Sequence, residues 1–211
     1  MKIMPGLFLI IFLTACRSSL IAELVTQSGK ALYHEDFSNP TNGWSQTISA
    51  DGSLKYADGA YQMQVKSAGY DLRAVSGQNY GDVQIEVDAV RLAGPVENRF
   101  GLICRFQDMD NYYVFIISSD GYYAIGKIKN GVASLLGQEM MAYSGEILQG
   151  SVPNRLRFDC IGDTLSGFVN GQTIAISNDA DFSSGDAGLI TGAFEETGVD
   201  VIFDNFLVLK P

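Results

Sequence analysis

The chain has 211 residues, with 14 Lys+Arg against 24 Asp+Glu and a formal net charge of −10. That balance argues against a nucleic-acid partner, which needs basic patches. Twenty-three glycines, 12 Phe, 10 Tyr and only 18% charged residues point to many short strands joined by tight turns in one domain of ordinary size.

Residues 1–15 read as a secretory leader. Lys2 supplies the positive start, and residues 3–13 are almost all apolar. That run is too short to span a bilayer, which takes ~20 residues. The sequence Leu13-Thr14-Ala15-Cys16 resembles the lipobox of bacterial lipoproteins. The resemblance implies cleavage before Cys16 and acylation of Cys16, and so a membrane partner through an N-terminal lipid anchor. Each buried CH₂ contributes ~0.8 kcal/mol, so several acyl chains hold where one would not. Arg17 stands where many inner-membrane lipoproteins carry aspartate, leaving a cell-surface or periplasmic address open. The chain then divides into a lipoprotein signal peptide (1–15), a lipidated tether (16–31) and a β domain (32–211). Within the tether, Leu20, Ile21, Leu24 and Val25 have the spacing of a short helix.

From Leu32 onward the apolar period changes to two. The run 83–90 places Val83, Ile85, Val87 and Ala89 on one face and Gln84, Glu86 and Asp88 on the other. The run GLICRFQ, 101–107, puts Leu102, Cys104 and Phe106 inward and Arg105 outward. A four-residue loop at 108–111 would set Cys104 opposite Phe115. Asp120-Gly121, Asn130-Gly131 and Asn170-Gly171 carry the Asx-Gly signal of two-residue hairpins. With a two-residue turn at Asp120-Gly121, Ser119 faces Tyr122 and Phe115 faces Gly126. Tyr113, Phe115, Ile117, Ala124, Gly126 and Ile128 then form the core side. Tyr112, Val114, Ile116, Tyr123, Ile125, Lys127 and Lys129 form the wetter side. In NRLRFDC, 154–160, Leu156, Phe158 and Cys160 alternate with Arg155, Arg157 and Asp159. Cys104 and Cys160 thus both fall on apolar faces. With Cys16 acylated they remain as a pair, and an oxidising compartment lets them bridge. Two buried free thiols are the alternative. About a dozen such runs suit an antiparallel two-sheet sandwich.

The order EDFSNPTNGW (35–44), RFGLICRFQDMDNYYVFIISSDGYYAIGKI (99–128), NRLRFDCIGDTLSGFVNGQTIA (154–175), DFSSGDAGLITG (181–192) and VIFDNFLV (201–208) resembles the concanavalin A-like, laminin-G-like jelly rolls. Within that group it is similar in style to the 3-keto-disaccharide hydrolase domain. The resemblance covers nearly all of 32–211. It implies an all-β jelly roll with one concave sheet and with the first and last strands adjacent, bringing Asp36 toward Asp204. Some jelly rolls hold a structural Ca²⁺ there. Calcium takes ~6–8 oxygen ligands and only two or three can be named, so no cofactor or metal is expected.

Glycosidases of this fold carry Glu-x-Asp-x-(x)-Glu, with two carboxyls doing the chemistry. Here Glu86-Val87-Asp88 is followed by Ala89, Val90 and Arg91, and the second glutamate is missing. His34 is the sole histidine; it cannot build a zinc site alone, and no Gly-x-Ser-x-Gly elbow accompanies it. Trp44, after the Pro-Thr-Asn-Gly turn, reads as a loop anchor in the core. Carbohydrate recognition needs aromatic platforms and polar groups, and Glu86, Arg105, Tyr112, Tyr123 and Lys127, with Arg157 and Asp159 beside them, are the candidate ligand-binding residues. The sequence therefore favours a non-catalytic carbohydrate-binding jelly roll on an envelope lipoprotein. Glycoside hydrolysis is the first rival, and a structural or protein-interaction module the second.

Overall fold

The computed structural model describes residues 29–211. The expected leader, Cys16 and the expected tether helix lie outside the described residues. Two antiparallel sheets face each other. The first runs β14 (Gln172–Asn178), β13 (Thr164–Val169), β12 (Asn154–Ile161), β6 (Val83–Ala93), β16 (Val199–Leu209), β4 (Ala60–Val65), β3 (Gly52–Ala57), β2 (Thr47–Ile48), with β1 (Ala31–Glu35) also paired to β16. The second runs β10 (Val132–Leu135), β9 (Tyr122–Lys129), β8 (Asn111–Ile117), β7 (Asn98–Asp108), β15 (Asp186–Ala193), β5 (Asp71–Val75), with β11 (Ala142–Tyr143) on β9. This is the all-β, jelly-roll sandwich of the concanavalin A-like class. The first and last strands pair, with Glu35 opposite Phe206.

The core lies between the inner faces. Phe100 meets Phe203 across the gap, and Phe115 meets Phe158 at 5.9 Å between ring centroids. Cys104 of β7 is bonded to Cys160 of β12, 56 residues on in sequence, with 6.8 Å between their Cα atoms. The bridge ties sheet to sheet, and in the chain-entropy picture closing such a loop is worth ~4 kcal/mol. One end of the core is closed by an aromatic plug. Trp44 is 3% exposed, donates from Nε1 to the Tyr33 hydroxyl at 2.9 Å, and packs on Phe37, Tyr61 and Phe206.

Two of the three Asx-Gly turns are two-residue hairpins. Asn130 and Gly131, and Asn170 and Gly171, have positive φ, and Lys129 pairs with Val132 and Val169 with Gln172. The third turn differs from the expected register. The Gly121 N–H donates to Ser118 O and the Ser118 N–H to Tyr122 O, so the loop holds three residues, with Gly121 at φ +100°. This is a type I turn closed by a left-handed residue. Phe115 consequently pairs with Ile125, and Ile117 with Tyr123. A shift of one residue turns every β9 side chain to the other face. Ile125 joins the main core, while Ala124 belongs to the outer side with Tyr112, Val114 and Ile116.

A second departure lies in β7. Cys104 pairs with Tyr113 and Asp108 with Asn111, so the register shifts between them. The surplus residues are taken up in a bulge where Arg105 has φ +51°. Beyond the bulge the alternation inverts, and Phe106 packs on Tyr112 on the outer face rather than entering the core.

Candidate functional site

The outer faces of the two sheets differ in kind. On the nine-stranded sheet, polar side chains pair with one another. Arg155 bridges Glu86 at 2.8 Å and Asp88 at 3.3 Å, Arg157 bridges Asp159 at 2.6 Å, and Gln62 donates to Asp200 at 2.8 Å. On the seven-stranded sheet the outer face is apolar. Ile103, Tyr112, Val114, Ile116, Ala124 and Ile190 form a second hydrophobic cluster, flanked by Phe106, Ile128, Leu135 and Met141. Strand β10 and the chain that follows it to Met141 border this face and leave a trough of about 620 Å³ between themselves, the sheet and the Arg99–Phe194 edge. A second hollow of about 400 Å³, lined by Glu97, Asp120, Tyr122 and Met140, shares Met141 and Phe194 with it.

An apolar floor with a few fixed polar groups is the usual build of a small-ligand site, and ~300–1,000 Å³ its usual size. The polar groups stand along β5 and β7. Arg99 Nε donates to Asp71 Oδ1 at 2.6 Å, and its guanidinium stacks 4.6 Å from the Phe194 ring centroid. Arg73 Nη2 lies 3.5 Å from Asp71 Oδ2, and Arg73 Nε donates to the Tyr112 hydroxyl. Gly192 opens the space for this network. A Cβ there would stand 1.8 Å from Asp71 Oδ1 and 2.6 Å from Arg99 Nε.

The sequence-expected ligand residues do not come together. Glu86, with Arg157 and Asp159, lies on the nine-stranded sheet, on the opposite side of the molecule from the trough. Arg105, expected on the wet face, is 2% exposed. Its bulged backbone carries the guanidinium inward, where Nη1 donates to Phe182 O at 2.8 Å and Nη2 to Gly162 O at 2.8 Å and Asp82 Oδ1 at 3.1 Å. Tyr123 packs against the main core because the β9 register moved. Lys127 moved with it. Its ammonium is held by Asp179 and Asp181, although the residue still borders the trough. These two carboxylates raise the Lys127 pKa. Burial alone would raise the Asp179 carboxyl, but the bonds from Lys127 and Tyr113 outweigh it and hold it low. Tyr113, buried and donating to Asp179 at 2.6 Å, is pushed up to about 12. Of the candidates on the seven-stranded sheet, Tyr112 alone sits on the expected face. It is fully buried beneath Phe106 and Arg73, and that burial raises its pKa despite Arg73. It supports the floor instead of offering an open ring.

Asp36 closes its own turn by accepting from the Ser38 N–H and hydroxyl, and Asp204 accepts from the Asn205 N–H. Among the described residues no three His, Cys, Asp or Glu side chains stand together as a metal site would need. No helix among them is long and apolar enough to cross a membrane.

The residues that do line the trough, Asp71, Arg99, Gly126, Leu135, Glu139, Met141, Ile190 and Phe194 beside Val114 and Ile116, were mostly missed from sequence. One signal was present. The run Val114-Phe115-Ile116-Ile117 is apolar on both faces, which marks a strand covered on both sides.

Models of known protein families give no match, and neither do curated proteins. Solved structures do. A carbohydrate-binding module of Bacillus subtilis, CBM66, superposes with a TM-score of 0.65 at 19% identity, over 80% of this chain and 96% of its own. A Bacillus subtilis protein of unknown function with a galectin-like fold gives 0.62 at 11%, over 87% and 97%. The Bacillus licheniformis β-glucanase gives 0.62 at 15%, over 88% and 100%. At these identities the likeness is one of fold.

Proposed function

We propose that this chain is an envelope lipoprotein, acylated at Cys16, whose sandwich binds carbohydrate without cleaving it in the trough of the seven-stranded sheet. The trough itself carries the reading. A hollow of about 620 Å³ has an aliphatic floor suited to the C–H faces of sugar rings, and fixed donors at one edge suited to hydroxyls. Among solved structures of the same fold, one is described as a carbohydrate-binding module and another as a β-glucanase, so both activities are compatible with such a sandwich. Against cleavage stands the carboxylate arrangement, because glycosidases work with a pair. Of the two carboxylates that line the trough, Asp71 has both oxygens engaged by arginines, which leaves Glu139 without a free partner there, and Glu86 and Asp88 are bridged to Arg155 on the other sheet.

A glycan array probed with the secreted domain tests the reading. Ala133→Trp, at an exposed position on the lip of the trough, fills the hollow and abolishes retention. Release of sugar from any retained glycan, or turnover of 3-keto-glycosides, would establish hydrolysis instead. No retention by the wild type would leave a structural or protein-interaction module. Metabolic labelling with a fatty-acid probe, lost in Cys16→Ser, tests the anchor separately.

A further inference from the structure

The trough has one polar group that is both anchored and unused. Arg99 spends its Nε on Asp71 and lays its plane on Phe194. Its side chain is 15% exposed. Among the described residues, Nη1 and Nη2 have no hydrogen-bond partner, and neither is among the buried unsatisfied atoms. Both therefore keep contact with solvent, on a residue that lines the trough. The neighbouring cations are committed. Arg73 is used by Tyr112, the Asp71 carbonyl and the Asp71 carboxylate, and Lys127 by Asp179 and Asp181. Two arginines share the single charge of Asp71, so this edge keeps one net positive charge in a chain of net charge −10. The carboxylates nearby are Glu139, which lines the same trough, and Glu97 and Asp120 in the adjoining hollow; none of them is paired to Arg99 among the described residues.

A planar fork of two N–H groups, already fixed at its root, matches a carboxylate bidentately. We propose that the trough selects an acidic glycan, with the carboxylate of a uronic acid received by Nη1 and Nη2 of Arg99. The inference rests on the reading that the trough binds carbohydrate, and it goes further by naming the sugar class and the residue that reads it.

The test is a glycan array carrying neutral oligosaccharides, uronate-containing oligosaccharides and the methyl esters of those uronates. The expected result is retention of free acids at least tenfold tighter than their esters. Charge-assisted bonds of this kind contribute ~1.5–3 kcal/mol, equivalent to roughly 10- to 150-fold. On the best acid, Arg99→Lys keeps the charge but loses the fork and weakens binding by at least tenfold, while Lys55→Gln, on the other sheet, leaves it unchanged. Raising NaCl from 50 to 500 mM weakens the wild type for acids severalfold, a readout independent of any variant. Neutral chains or esters bound as tightly as acids would overturn this inference and leave carbohydrate binding intact. No retention of any glycan would overturn both.

Discussion

The two outer faces of the sandwich are built from the same alternating strands and end in opposite states. On the nine-stranded sheet, Glu86, Asp88, Arg155, Arg157 and Asp159 satisfy one another. Each of these charges has a partner on its own or the adjoining strand, so all five are already engaged. On the seven-stranded sheet, an aliphatic floor is left half covered, with one arginine fixed at its rim by Asp71 and Phe194. Polarity alone does not mark a binding face. The informative face is the one where apolar surface stays open and a donor stays unspent.

That contrast can be broken in several places. The largest effect is expected at the tie between the sheets. Cys104→Ala with Cys160→Ala removes ~4 kcal/mol of chain-entropy stabilisation, and calorimetry should show Tm falling by roughly 10 °C. Next comes Arg105→Met. It strips the Phe182 carbonyl of its buried donor and the Gly162 carbonyl of a part-buried one and should cost about 2 kcal/mol in a urea titration, with no loss of glycan affinity in the folded protein. An equal loss of affinity without loss of stability would return Arg105 to the ligand site.

Gly192→Ala sharpens the comparison from the trough side. Its methyl group cannot coexist with the Asp71–Arg99 contact, so glycan affinity should fall about tenfold, read by calorimetric titration. The ion cluster at the sandwich edge gives a pH test. Asp179 and Asp181 are held below their ordinary 3.8, and Lys127 above its ordinary 10.5. The carboxylates therefore stabilise the fold above pH ~4 and lose that contribution as pH falls through their lowered values. Lys127 contributes below pH ~10.5 and loses its part as pH rises beyond. Lys127→Met should flatten the plot of Tm against pH at both ends; an unchanged acid limb would contradict the pairing. The smallest effect belongs to the closed face. Arg155→Ala, whose partners Glu86 and Asp88 are both partly exposed, should change stability by less than ~1 kcal/mol and leave glycan binding unaltered.

Much of this fold was legible in the sequence. Period-two runs located β6 and β12, the apolar run before Asp120-Gly121 located β8, and the Asn130-Gly131 and Asn170-Gly171 signals marked two hairpins. Facing apolar positions brought Cys104 to Cys160. The candidate site was far less legible, and the reason is local. An Asp-Gly pair serves a two-residue turn or a three-residue turn, and the difference at Gly121 reversed all of β9. A bulge at Arg105 has no composition signature, and it converted an outward arginine into a buried clamp. The assignment of strands to sheets was the third gap. Nothing in alternation tells that Glu86 and Tyr112 lie on opposite sides of the molecule, because that follows from which strands become neighbours over long sequence distances.

The most direct test is amide chemical-shift mapping of the ¹⁵N-labelled domain during titration with a glycan that it retains. The account predicts perturbations concentrated at Arg99, Val114, Ile116, Gly126 and Phe194, with the Glu86, Arg155 and Arg157 amides unmoved. Shifts concentrated on those last three, with a silent trough, would contradict it.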